Sequence, residues 1–161
     1  MILHAGLIAA FGPGGWRGVL IEGPSGAGKS DLALRALGHG FRLVADDRVL
    51  IWQSGGALYG RAPDALAGRL EVRGLDVVTE PAIPYCRIGL CVGLGAPERI
   101  PEPAWKAYLG LSLPLIILSP LESSAPAKLA RALQHLGGRA EGAYQDGRAA
   151  VDPPRPGGDS R

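Results

Sequence analysis

Cysteine is scarce in this chain. Only Cys86 and Cys91 occur among 161 residues, too few for the disulfide framework of a small secreted domain. Both stand in Tyr85-Cys-Arg-Ile-Gly-Leu-Cys91, which reads as a strand. Positions five apart on a strand face opposite ways. The pair is therefore expected neither to bridge nor to share a metal, but to be two reduced core cysteines of a cytoplasmic protein. Long apolar runs are missing too: none reaches the roughly 18 residues of a membrane-crossing helix. The apolar start, MILHAGLIAAFGPGG, lacks the basic leader that opens a signal peptide. Neither sign of charge dominates. Seventeen Lys and Arg against fifteen Asp and Glu leave +2, too little to argue for nucleic-acid or membrane binding. What remains, 47% hydrophobic and 20% charged, is the composition of one soluble globular domain.

Strand and hairpin signals come first along the chain. Ile2–Ala10 reads as a strand, Gly12-Pro-Gly-Gly15 as a turn and Arg17–Ile21 as a second strand, hence an antiparallel pair. A glycine-rich loop follows, then a helix from about Lys29 to Gly38 and a strand over Phe41–Ala45. Strand, loop, helix and strand with so short a crossover make a βαβ unit. Both of its strands then end at one sheet edge, where ligands bind in open α/β sheets. Ser54-Gly-Gly56 marks another hairpin between Arg48–Gln53 and Ala57–Arg61. A short helix is expected over Pro63–Gly68, a strand around Tyr85–Gly93 and an apolar strand over Leu111–Leu118, interrupted at Pro114. Serine caps at Ser123 and Ser124 precede a last helix, Ala127–Leu136. The fold expected is α/β with a mixed, hairpin-containing sheet. Residues 1–136 form its domain; residues 137–161, rich in Gly, Pro, Arg and Asp, read as a disordered tail.

One motif carries chemistry outright. Gly23-Pro24-Ser25-Gly26-Ala27-Gly28-Lys29-Ser30 matches G-x-x-x-x-G-K-[ST] and sits between a strand and a helix, the P-loop context. Glycines let backbone N–H groups curve around phosphates, the lysine neutralises β/γ charge and the serine hydroxyl ligates Mg²⁺. Asp46 and Asp47 end the next strand beside this loop, where phosphoryl transfer needs a carboxylate near the metal or the nucleophile. Alternation puts the two on opposite faces and so in different roles. Glu71, in LEVRG, reads by itself as an exposed strand carboxylate. His4 alternates with Ile2 and Ile8 and reads as a half-buried strand histidine. His39 and His135 lie near helix C-termini, where the dipole accounts for them.

Taken together these residues resemble the bacterial HPr kinase/phosphorylase family. The resemblance runs closely from Leu3 to Val78: a histidine on the strand before the P-loop, the loop itself, Gly38-His-Gly-Phe-Arg-Leu-Val-Ala-Asp-Asp47 for a "RGxRLVADD"-like stretch, and Leu70-Glu-Val-Arg-Gly-Leu-Asp-Val77 for a "LEIRGLGI"-like signature. It implies a P-loop domain like that of phosphoenolpyruvate carboxykinase. It also implies a cytoplasmic, ATP- and Mg²⁺-dependent protein serine kinase, regulating phosphotransferase-linked carbon metabolism through an HPr-type phosphocarrier. Asp47 would be the general base, Lys29 the P-loop lysine, Ser30 and Glu71 the magnesium ligands, and His4 the histidine that acts on the neighbouring aspartate. Asp46 would stand behind the metal or touch it. A homo-oligomer is left open.

The family's long forms carry an N-terminal domain ahead of this region; this sequence opens at the kinase domain and resembles the short alphaproteobacterial form, so a kinase domain alone is expected. The family's arginine-containing "PVRPGR"-like segment, linked to dephosphorylation, is replaced by Leu118-Ser-Pro-Leu-Glu-Ser-Ser-Ala-Pro-Ala-Lys128. That replacement predicts a protein that is mainly a kinase, with Arg73 or Arg99 as the arginines able to substitute. Two alternatives remain: a small-molecule P-loop kinase and a non-catalytic nucleotide-sensing module.

Overall fold

The structure, a computed structural model, describes residues 1–137. The apolar start is two strands rather than one. Ile2–Leu3 (β1) pairs antiparallel with Val49–Ser54 (β5), whereas Gly6–Gly12 (β2) pairs on one side with Gly15–Glu22 (β3) and on the other with Phe41–Ala45 (β4). The chain changes partner at His4 and Ala5, so His4 lies in a break and not on the expected strand face with Ile2 and Ile8. Alternation fails there because β1 and β2 answer to different neighbours. β2 is buried on both faces from Gly6 to Ala9, as its unbroken apolar run requires of a central strand.

The helix after the glycine-rich loop, Lys29–Leu37 (α1), buries Lys29, Leu32, Ala33 and Ala36, one stripe at helical spacing. It carries the chain from β3 to β4, which run parallel with β2 antiparallel between them. Both strands therefore end at one edge, as the crossover predicts.

Ala57–Arg61 (β6) completes the hairpin with β5. One 3₁₀ turn over Asp64–Leu66 stands where a short helix was expected. Arg69–Val72 (β7) and Asp76–Thr79 (β8) form a small separate hairpin that packs beside α1. Cys86–Leu94 (β9) is the strand at which the main sheet forks. Its start pairs antiparallel with β6, its length runs parallel to β3, and its end runs parallel to Leu111–Leu118 (β11). Ala104–Tyr108 (β10), not foreseen in the sequence, pairs with β11. β11 is unbroken at Pro114, which precedes the ladder to β9 beginning at Leu115, so its missing N–H interrupts no central pairing. Ala125–Leu136 (α2) has Pro126 in its first turn, but Ser124 makes no side-chain cap bond.

Two cores result. Ile8, Val19, Ile21, Leu90 and Val92 meet α1 and α2 on one face; Leu7, Leu20, Val49, Leu58 and Tyr108 fill the other, where the sheet curls over itself. Cys86 and Cys91 both belong to the second core, against the expectation of opposite faces. The register of β9 against β3 skips Gly89, and this bulge inverts the alternation between the two cysteines. Both are free thiols, and burial pushes Cys86 up to about 12 and Cys91 up to about 11.

Candidate active site

The loop between β3 and α1 holds two glycines in the left-handed region, Gly26 at φ +79° and Gly28 at φ +101°. Gly28 is also the N-cap of α1. A side chain at either position would strain the backbone. Ala27 N–H closes a turn on the Pro24 carbonyl at 3.0 Å. Lys29 opens the helix yet is only 8% exposed. Its ammonium donates to the carbonyls of Gly23 (2.7 Å) and Pro24 (3.0 Å), which fixes a cation across the loop. A helix N-terminus, glycine-exposed amides and a held lysine together favour an anion.

The two aspartates at the end of β4 diverge sharply. Asp46 is 7% exposed. One of its oxygens accepts from the Ser30 hydroxyl at 2.8 Å, the other from the Glu71 backbone N–H at 3.0 Å. It therefore ties α1 to the β7–β8 hairpin. Asp47 turns the other way. Its φ is +67°, and the Arg48 N–H reaches back to the Asp46 carbonyl at 2.7 Å, a tight three-residue turn with Asp47 at its centre. The turn sends its half-exposed carboxylate to His4 Nε2 at 2.8 Å, with Arg48 Nε at 3.8 Å. Ala5 N–H, one residue past His4, donates to the Asp47 carbonyl at 3.2 Å. The break between β1 and β2 is thus the feature that delivers the histidine.

These groups share one cleft of about 330 Å³, lined by His4, Ser25, Gly26, Gly28, Lys29 and Ser30 and closed by Asp31, Asp47, Glu71 and Arg73. Gly23, Pro24 and Ala27 frame the loop without lining the cleft. His4, Lys29, Ser30, Asp47 and Glu71, separated by up to 67 positions in sequence, all line this cleft. Arg73 joins them as a second cation. It comes from the turn that follows β7, two positions after Glu71. The contact of Asp46 with the Glu71 amide had no signal in the sequence, because it involves a backbone atom. The segment Leu118–Lys128 packs behind the loop: Arg35 of α1 donates to the Pro120 and Glu122 carbonyls, and Lys128 pairs with Glu122.

Oxygen donors dominate the cleft. Among the described residues no three His, Cys, Asp or Glu side chains gather as a protein-only metal cage. Ser30 and Glu71, with the buried Asp46 carboxylate behind them, suit a hard cation such as Mg²⁺, which keeps waters and is shared with phosphate oxygens. No described helix is long and apolar enough to cross a membrane.

The family model described as HPr Serine kinase C-terminal domain matches residues 1–82. Over 81 residues the chain is 44% identical to the HPr kinase/phosphorylase of Clostridium tetani and 42% identical to that of Clostridium acetobutylicum, covering 50% of this chain and 25% of each relative. The match thus spans a quarter of those proteins' length. The solved structure of the Hpr(Ser) kinase/phosphatase from Coxiella burnetii superposes with a TM-score of 0.70 at 23% identity, over 83% of this chain and 94% of that one. At that identity the likeness is one of fold.

Proposed function

The chain belongs to the HPr serine kinase C-terminal domain family, and on that premise we propose that it is an ATP- and Mg²⁺-dependent protein kinase that phosphorylates a serine of an HPr-type phosphocarrier. The observation that carries this reading is the Asp47 carboxylate, half-exposed and held 2.8 Å from His4 Nε2 in the same cleft as Lys29. A base that must meet the hydroxyl of another protein has to be reachable from solvent, and this one is.

The residues divide the work by position. The loop amides and Lys29 take the β- and γ-phosphates. Ser30 and Glu71 are the side chains that would hold Mg²⁺, with Asp46 behind them orienting both; when bound, the ion neutralises phosphate charge. Asp47 accepts the proton of the acceptor serine as its oxygen bonds to the γ-phosphorus and the bond to the departing ADP oxygen breaks. His4 donates its Nε2–H to the ionised carboxylate and positions it. The reaction is expected to run mainly forward, because Lys128, the only cation of the Leu118–Lys128 segment, is engaged with Glu122. Of the two arginines able to serve reversal by inorganic phosphate, Arg73 lines the cleft and Arg99 does not.

The test uses γ-labelled ATP, Mg²⁺ and the purified full chain, with and without an HPr-type protein. Label on a serine of the acceptor is expected. Label only on small molecules, or none with all components present, contradicts the proposal.

A further inference from the structure

A second concavity lies away from the cleft, at the other side of β11. It is a groove of about 380 Å³ between the loop at 95–103 and the strands β10 and β11. Its walls are apolar and unusually rich in proline: Pro97, Pro101, Pro103 and Pro114, with Trp105 and Ile117 among them. Two features of this groove are unresolved by the described chain. The Trp105 indole N–H is buried and has no hydrogen-bond partner among the described residues. Such an orphan donor costs on the order of 1–3 kcal/mol, and in native proteins it calls for an explanation. The rim is also acidic. Glu98 and Glu102 line the groove and are exposed. Neither makes an ion pair among the described residues, and Arg99, the loop's one cation, does not line the groove.

An occupant must then be apolar, carry a backbone acceptor for the indole, and bring positive charge to the rim. The chain itself contains such a segment. Asp152-Pro153-Pro154-Arg155-Pro156 lies beyond Gly137, in the part of the sequence outside the described residues. Consecutive prolines favour the extended polyproline II form, which is already ordered before it binds and leaves its carbonyls free. Proline has no N–H of its own, so a proline segment offers acceptors and asks for no acceptor in return. That is the complement of a wall whose unmet group is a donor. Aromatic-lined grooves take proline-rich segments by this logic in general. Arg155, flanked by prolines, matches the glutamates.

Reach is no obstacle. Leu136, the last residue of α2, is itself part of the groove lining, so the remaining chain departs from its rim. Residues 138–152 separate Gly137 from Pro153, and at roughly 3.3–3.6 Å per extended residue they can span on the order of 50 Å.

We propose that the groove between the 95–103 loop and β10–β11 is the docking site of this chain's own Pro153-Pro154-Arg155-Pro156 segment, with the Trp105 indole N–H donating to a proline carbonyl and Glu98 and Glu102 facing Arg155. The docking is independent of the phosphoryl-transfer reading, and its test uses no activity.

The test follows the indole N–H resonance of Trp105 in the ¹⁵N-labelled full chain, assigned by loss of its signal in Trp105→Phe. Pro153→Ala combined with Pro156→Ala is expected to move that resonance and speed its exchange with solvent, while the resonances of Trp16 and Trp52 stay in place as a control on folding. A peptide of residues 149–161 added to this double variant is expected to restore the resonance in a saturable way. The same peptide with Arg155→Glu should bind roughly tenfold more weakly, and Glu102→Lys in the chain should recover most of that loss. An indole resonance indifferent to the tail substitutions overturns the proposal. A shift that appears only as protein concentration rises also overturns it, by assigning the groove to the tail of a second copy.

Discussion

Asp46 and Asp47 are adjacent and chemically identical, yet one is buried and doubly bonded while the other is half-exposed and paired with a histidine. Strand alternation makes such a split legible in the sequence. The left-handed turn at Asp47 was not legible, since nothing in Ala45-Asp-Asp-Arg48 announces a positive φ except that aspartate tolerates one better than most residues. Backbone strain at a functional position has a measurable signature. Asp47→Ala and Asp47→Gly both remove the carboxylate, but only glycine adopts φ +67° freely. The alanine variant is expected to be less stable than the glycine variant by about 1 kcal/mol, read from urea midpoints; equal midpoints contradict a strained turn. Lys29 makes a simpler case. Its signal was the motif itself, and Lys29→Ala is expected to weaken nucleotide binding and abolish turnover, checked by calorimetry and initial rates.

Strands and helices were read from apolar runs and turn residues, and most of them stand where those signals lie. The failures share a cause, which is that pairing partners are not written locally. The division of residues 2–10 into β1 and β2 depends on β5 and β3 lying on different parts of the sheet. The bulge at Gly89 depends on the register against β3 and turns Cys86 to the same core as Cys91. β10 carries Trp105 and Tyr108 among two alanines and a lysine, too short and too mixed a run to read as a strand, and became one because β11 offered an edge. The curl of the sheet imposes a tight packing point: a Cβ on Gly60 of β6 would lie 2.7 Å from Leu7 Cδ2, 3.0 Å from Ile88 Cδ1 and 3.1 Å from Val49 Cγ1. Gly60→Ala is therefore expected to destabilise the fold by about 1–3 kcal/mol, seen as a lower denaturation midpoint at unchanged slope. The β7–β8 hairpin has the opposite character, an outlying element joined to the site through the Asp46–Glu71 contact. Glu71→Gln leaves that backbone bond intact and removes a charge, so the Mg²⁺ concentration for half-maximal transfer is expected to rise while stability holds. An unchanged metal requirement would return Glu71 to the role of a surface carboxylate.

At the scale of the whole fold, the described residues form a curled mixed sheet with two cores, and the site forms where the ends of β3 and β4 meet a histidine from the strand break and a glutamate from the hairpin. The glycine-rich loop motif and the second strand of the crossover bring Lys29, Ser30 and Asp47 to one cleft, with Asp46 buried behind Ser30. His4 and Glu71 were placed by resemblance to a family, because their own surroundings in the sequence are those of ordinary strand residues. Burial of the cysteines gives the fold a defined alkaline limit. The folded chain holds the Cys86 proton from an ordinary 9.0 up to about 12, so this contribution is complete below pH 9 and is lost as the pH rises from there towards 12. Urea midpoints are expected to show no thiol-linked change between pH 7 and 8.5 and to fall above 9.

The central claim is that Asp47 is the base that activates a serine of an HPr-type acceptor. It is tested most directly by single-turnover transfer from Mg²⁺-ATP to that acceptor, with wild type and Asp47→Asn side by side and nucleotide affinity measured on both. Asparagine keeps the shape and the tolerance for a left-handed turn but cannot take a proton. The account predicts unchanged nucleotide affinity and a rate lower by about 10²–10⁴-fold, the usual worth of general-base help. Transfer at the wild-type rate by Asp47→Asn, or loss of transfer in Asp46→Asn alone, would contradict it.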